Sequence, residues 1–178
     1  MSEYYTKEEL LEIGFKKVGD NNFISKKTSF YCISGNMGSD NRIDDFCVIK
    51  GKITVGSKVH ICSHTSLSGV GGKIEIKDLA GVGVNNIYYT SSDNMLFSAL
   101  CGPLVNENNA SRKSGDIVIG KGAAIGGRVT IMPNVFVGDY TAVGLHSIVN
   151  RNLKPFSVYM TVKSDLKRII SRNCLLYT

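Results

Sequence analysis

The sequence predicts an all-β fold: a three-sided parallel β-helix of about six coils, with a protruding loop and non-repetitive caps. Three observations predict it. Ile119, Ile125, Ile131, Val137, Val143 and Val149 stand six apart without a slip. Four residues after the first five come Ala123, Val129, Val135, Thr141 and Ser147, all small or β-branched. Glycine directly follows Ile119, Ile125, Val137 and Val143. A helix would recur at 3.6 residues and an ordinary strand at 2, so a period of six marks a repeat architecture. One large and one small inward residue per unit suits a prism of short strands. Three such units close one coil, and coils stack at the inter-strand spacing of a sheet, about 4.8 Å.

The elements follow in order within a single domain, 1–178. Residues 1–16 hold a short helix from Thr6 to Ile13. Thr6 can cap it, Glu8 and Glu9 favour its N-terminus, Gly14 ends it, and Leu10, Leu11 and Ile13 form its apolar side. Residues 17–88 carry the repeat in degraded form. Val18, Ile24 and Phe30 are six apart; one extra residue intervenes before Met37, Ile43, Ile49, Val55, Ile61 and Leu67. Three more extra residues, within Gly69–Gly72, precede Ile76, Val82 and Tyr88. The register then vanishes over 89–116 and resumes at Ile119. A long excursion inside a repeat that resumes intact reads as an arm looping out of the prism. Its Met95, Leu96, Phe97 and Leu100 need burial. Residues 117–150 are regular coils. Beyond them, 151–178 read as a cap, with Ser164–Arg172 as a basic helix turning Leu166, Ile169 and Ile170 inward over the exposed sheet edge of the last coil.

Composition narrows the function classes. With 178 residues, 19 glycines and 3 prolines, the chain is one turn-rich domain. It lacks an apolar run long enough to span a bilayer, and its acidic start lacks the apolar core of a signal peptide. Five cysteines, an odd number with no Cys-x-x-Cys pair, fit a reducing cytoplasm and argue against both a disulfide framework and a metal site. The net charge of +6 is partly concentrated in Arg151, Lys154, Lys163, Lys167, Arg168 and Arg172. That is either a solvated face or a site for a phosphate-rich ligand. Nucleic acid is not expected, because the basic residues are not interleaved with stacking aromatics.

The run from Ile119-Gly120-Lys121-Gly122-Ala123-Ala124-Ile125-Gly126-Gly127 through Val143-Gly144-Leu145-His146-Ser147-Ile148-Val149 resembles the left-handed parallel β-helix (hexapeptide-repeat) acyltransferases. The left hand is implied by the resemblance, not by spacing. The likeness narrows to the sugar O-acetyltransferase branch, such as the galactoside and maltose acetyltransferases. Arg42-Ile43-Asp44-Asp45-Phe46, Val59-His60-Ile61, Gly71-Gly72 and Tyr89-Thr90-Ser91-Ser92-Asp93 resemble a polysaccharide-associated sub-branch. The resemblance implies acetyl-coenzyme A as co-substrate, no metal, and a homotrimer whose arms reach neighbouring subunits. Where the galactoside enzymes carry a catalytic histidine, this chain has Asp93.

A base must take a proton from the acceptor. His60, next to inward-facing Ile61, belongs on an outer face, and His64 lies in the following turn; either is a candidate base, oriented by Asp93. For an amine acceptor Asp93 itself would suffice. Ser63 and Asn85 are candidate substrate contacts. By resemblance, the coenzyme A groove takes Gly127, Leu145, Asn150 and Arg151, with Lys163, Lys167 and Arg168 meeting phosphates. Met160-Thr161-Val162-Lys163 replaces the family's usual Ala-Gly-Ile/Val-Pro. A zinc hydratase on the same prism would need three converging histidines, and His146 lies several coils from the other two. The leading expectation is acetyl transfer to a sugar hydroxyl of a surface polysaccharide or its precursor; the alternative is N-acetylation of a nucleotide-linked amino sugar.

Overall fold

The six-residue period closes into a β-solenoid. A computed structural model describes residues 3–93, 111–162 and 165–171. Each coil places one large apolar residue inward on each of three faces, and parallel pairing stacks like on like. Face one carries Val18, Met37, Val55, Ile76, Ile119, Val137 and Leu153. Face two carries Ile24, Ile43, Ile61, Val82, Ile125, Val143 and Tyr159. Face three carries Phe30, Ile49, Leu67, Tyr88, Ile131 and Val149. Nearly all are buried, and residues two positions earlier, among them Ile53, Ile74, Ile117, Val129 and Val135, fill the prism beside them.

The corners explain the spacing. Entering face two, the chain turns through a left-handed residue in every coil: Asn21, Asp40, Lys58, Leu79, Gly122, Tyr140 and Phe156. Entering face three, Phe46, His64, Asn85, Arg128 and His146 do the same. Such a φ in so many non-glycine residues carries a small cost each time, offset by the continuous parallel ladders the turn permits.

The N-terminal helix spans Lys7–Ile13 with Thr6 as N-cap, Glu9 completing a capping box, and Gly14 at φ 127° as C-cap. Leu10 is buried against the first coil, but Leu11 faces outward.

The other end differs from expectation in two ways. The prism does not stop at Val149: Leu153 and Tyr159 begin a seventh coil. The expected C-terminal helix is a β-hairpin instead. Strand Ser157–Val162 joins face two, and Asp165–Ser171 pairs with it antiparallel. An open sheet edge needs partners for its N–H and C=O groups, and a strand supplies them where a helix cannot. The apolar spacing of Leu166, Ile169 and Ile170 suits either element, because a short apolar run does not distinguish helix from strand. Leu166 is buried. No helix among the described residues is long and apolar enough to cross a membrane.

Candidate active site

The arm leaves and re-enters the prism at the edge between faces three and one. Its base is a two-stranded antiparallel ribbon, Ser91–Asp93 against Arg112–Ser114. The apolar arm residues Met95, Leu96, Phe97 and Leu100 lie outside the described residues. One coil earlier, the three extra residues between Leu67 and Ile76 form a bulge: Gly51 pairs with Gly69, yet Lys52 pairs with Lys73. Bulge and ribbon face each other across an open groove of about 690 Å³, lined by Val70, Gly71, Ser91, Ser92, Asp93, Arg112 and Ser114. Contact is close at the floor. A Cβ on Gly71 would stand 2.4 Å from the Cβ of Ser91, so only glycine fits there. The Gly71 N–H donates to Thr90 Oγ1 at 3.1 Å, which ties the bulge to the coil that launches the arm.

Within the groove, Asp93 Oδ1 lies 3.3 Å from Arg112 Nε. Ser114 Oγ donates to Ser91 Oγ at 3.1 Å. The groove thus offers one carboxylate, one guanidinium and several hydroxyls, which suits a polar, polyhydroxylated ligand better than an apolar one.

The histidines lie elsewhere. His60 projects from the outer side of face two, half-exposed, with Nε2 2.9 Å from Asp44 Oδ2. An Asp–His pair forms, but its acid is Asp44 and not the expected Asp93. Arg42 Nε donates to the other oxygen of Asp44 at 2.6 Å. Burial pushes the Asp44 carboxyl upward, yet the hydrogen bonds from Arg42 and His60 outweigh it and hold it below its ordinary value. Asp44 and Cys62 were not singled out in the sequence. They are 18 residues apart, three hexads, which is the signal that stacks them on adjacent coils.

His64 occupies the left-handed turn between faces two and three, with its ring centroid 5.2 Å from that of Phe46. Asn85 and His146 occupy the same turn in later coils. One position earlier in each coil stand Ser63, Gly127 and Leu145, joined through this edge by hydrogen bonds: Asn85 N–H to Ser63 O at 3.1 Å and His146 N–H to Gly127 O at 2.9 Å. The candidate contacts Ser63, Asn85, Gly127 and Leu145 therefore line one edge, hereafter the histidine edge. Asp93 lies on the arm edge, at the opposite margin of face three.

Asn150 and Arg151 follow face three at the arm edge, two coils beyond the ribbon, both exposed. The Arg151 guanidinium donates to the Leu166 carbonyl, and Arg168 Nε donates to Ser157 Oγ at 2.8 Å. Both arginines thus brace the C-terminal hairpin. Lys167 is exposed on it, and Lys163 lies outside the described residues. Sequence reasoning missed Arg112 and Ser114, because the return of the arm leaves no periodic trace.

No protein-family model matches the chain. It is 34% identical over 159 residues, 87% of this chain and 82% of the relative, to a dTDP-4-amino-4,6-dideoxy-D-glucose acyltransferase of Escherichia coli. Among solved structures it superposes, with a TM-score of 0.88 and 38% identity over 98% of this chain and 92% of the other, on a variant of AntD, an N-acyltransferase from Bacillus cereus, in complex with dTDP-4-amino-4,6-dideoxyglucose and coenzyme A. A maltose O-acetyltransferase from Clostridium difficile, 19% identical with a TM-score of 0.55 over 93% of this chain and 74% of that one, shares the fold alone. The hexad repeat, the prism it builds and a relative matched over most of its length lead to one conclusion: the chain belongs to the hexapeptide-repeat acyltransferases.

Proposed function

We propose that the chain transfers an acyl group from coenzyme A to the amine of a dTDP-linked amino sugar. The observation that carries this reading is the likeness, over nearly the whole chain, to N-acyltransferases that take dTDP-4-amino-4,6-dideoxyglucose. The expected O-acetyl transfer rests on the distant maltose-type likeness and gives way to it. The groove chemistry supports the same choice. An alcohol acceptor calls for an imidazole base, whereas an amine arrives as an ammonium ion that a carboxylate can hold. Asp93 is the carboxylate of the groove.

In this mechanism Asp93 exchanges Arg112 for the substrate ammonium and accepts one of its protons. The freed nitrogen attacks the thioester carbonyl. The C–N bond forms and the C–S bond breaks; the departing thiolate takes up the second proton that the nitrogen loses after attack, and Asp93 releases the first to solvent. Hydroxyls of Ser91, Ser92 and Ser114 orient the sugar. Positioning supplies much of the rate, since the thioester is already activated. The coenzyme runs along Gly127, Leu145, Asn150 and Arg151, and Lys163, Lys167 and Arg168 meet its phosphates. Ser63 and Asn85 complete the acceptor side from the histidine edge. In a homotrimer, the histidine edge of one subunit meets the arm edge of the next.

The test is thiol release by the purified chain with acetyl-coenzyme A and three acceptors: dTDP-4-amino-4,6-dideoxyglucose, a galactoside and maltose. Turnover with the amino-sugar nucleotide alone is expected. Turnover with a free glycoside and none with the nucleotide would return the chain to O-acetyl transfer.

A further inference from the structure

Face two carries a second cluster of chemically capable side chains, remote from the arm edge. Asp44, His60 and Cys62 come from two adjacent coils and present one donor atom each, all within 4.8 Å of one another. Asp44 Oδ2 is 2.9 Å from His60 Nε2, and Cys62 Sγ is 3.8 Å from the same nitrogen. We propose that Asp44, His60 and Cys62 form a site for one Zn²⁺ or a similar borderline divalent cation, separate from the acyl-transfer groove.

The geometry is the argument. An imidazole nitrogen has either one hydrogen or one lone pair, so it cannot serve both a carboxylate and a thiol. An Asp44–His60 ion pair explains the carboxylate but leaves the thiol aimed at an occupied nitrogen. A cation at the centre of the three donors uses all of them. Tetrahedral zinc with one O, one N and one S ligand has donor–donor edges of about 3.3–3.6 Å. The two observed separations straddle that range, so small side-chain rotations suffice. The mixed O, N and S donor set suits zinc better than calcium or magnesium.

The surroundings are consistent with this assignment. Arg42 holds the other oxygen of Asp44, the role an outer partner plays for a ligating carboxylate, and leaves Oδ2 to point at the cation. Each donor sits in or directly after a strand of a parallel ladder, so the backbone positions are rigid. The metal takes the thiolate form of Cys62, so binding expels a proton. With carboxylate and thiolate both ionised, a divalent cation leaves its ligand set neutral. The cation would staple the second and third coils together, with one coordination position open to water. The inference does not depend on the identity of the acceptor sugar.

The test is Co²⁺ titration of the full chain after chelator treatment, with Zn²⁺ as competitor. One equivalent should produce thiolate-to-cobalt charge-transfer and tetrahedral ligand-field bands, and Zn²⁺ should displace them. Cys62→Ser should abolish the charge-transfer band, whereas Cys32→Ser, which changes an exposed cysteine elsewhere, should keep it. His60→Gln, on the protein surface, should weaken Zn²⁺ binding by more than the about 10–100-fold that loss of an outer-shell partner costs, and should remove the rise in Tm that Zn²⁺ gives the unaltered chain. Absence of the band, its survival in Cys62→Ser, its loss in Cys32→Ser, or an unchanged Zn²⁺ affinity in His60→Gln would each overturn the site.

Discussion

Asp93 and His60 illustrate how a residue's role depends on its neighbours more than on its type. His60 is the residue type expected of a general base, but its partner is Asp44 on face two. Asp93 instead pairs with Arg112 on the ribbon side of a hydroxyl-lined groove. With an amine acceptor, Asp93→Asn should lower kcat/KM by about 10²–10⁴-fold and raise the KM for the amino sugar, since the ammonium loses its counter-charge. His60→Ala should leave turnover within about threefold of normal. Steady-state kinetics of both variants against acetyl-coenzyme A decide; the reverse ranking would return the base to His60. The Asp44 depression gives a separate prediction, made with chelator present. A carboxyl held below its unfolded value stabilises the fold at pH above that value, about 3.9, and the contribution disappears as pH falls through the lower folded value. Asp44→Asn should therefore lose about 0.5–1 kcal/mol at pH 7, a modest amount because Arg42 and His60 are substantially exposed, and that gap should close in acid. Urea denaturation at pH 7 and near pH 3 measures it, and a gap that widens in acid would contradict the assignment.

At the scale of elements, the groove depends on two interruptions of the repeat that coincide in space. The bulge at Val70–Gly72 and the ribbon Ser91–Asp93/Arg112–Ser114 arise in successive coils at the same edge, so they meet. Gly71 is the contact point. Gly71→Ala places a Cβ within 2.4 Å of Ser91 Cβ, and backbone must move because neither atom is the end of a flexible chain. A cost of about 1–3 kcal/mol follows from overpacking. Displacement of Asp93 by even about 1 Å should lower kcat/KM by about 10²-fold. Gly81→Ala is the control: its Cβ would meet nothing within 4 Å, and both stability and rate should persist. Thermal melts and kinetics on the pair test this; equal behaviour of the two variants would separate the bulge from the site. The C-terminal hairpin shows the same logic at the other end, where an unfinished coil recruits a strand and not a helix.

For the whole molecule, the outer side of face three carries Val48, Ile87 and Ile148, respectively 39%, 49% and 57% exposed, and the adjoining histidine edge adds Phe46, Val84 and Leu145. A row of exposed apolar residues, alternating with Ser66 and Thr130 along one face of a rigid prism, suits cyclic closure, in which every copy buries the same set of residues. A mass three times 19.4 kDa is the expected result of sedimentation equilibrium, and Ile87→Arg should shift the population to monomer with loss of activity, because each site then lacks its neighbour's edge. A stable, active monomer at micromolar concentration would end the trimeric reading.

The sequence by itself determined the prism. The hexads from Ile119 to Val149 dictate parallel stacking, since each aliphatic residue must meet its counterpart one coil away. Thr6, Glu9 and Gly14 likewise determined the helix by local capping. Periodicity also isolated the arm, by its absence. What only the tertiary structure decided is what lies across the edges and at the open end. That Asp93 pairs with Arg112, and His60 with Asp44 and Cys62, depends on which corner each coil turns and where extra residues are extruded. That Leu153 and Tyr159 begin a seventh coil, and Leu166 seals it from a strand, depends on unsatisfied backbone groups of the preceding coil. Repetition propagates through local rules that every six residues can express. Partners brought together from different coils or across a bulge have no local signature, and only the folded backbone brings them into contact.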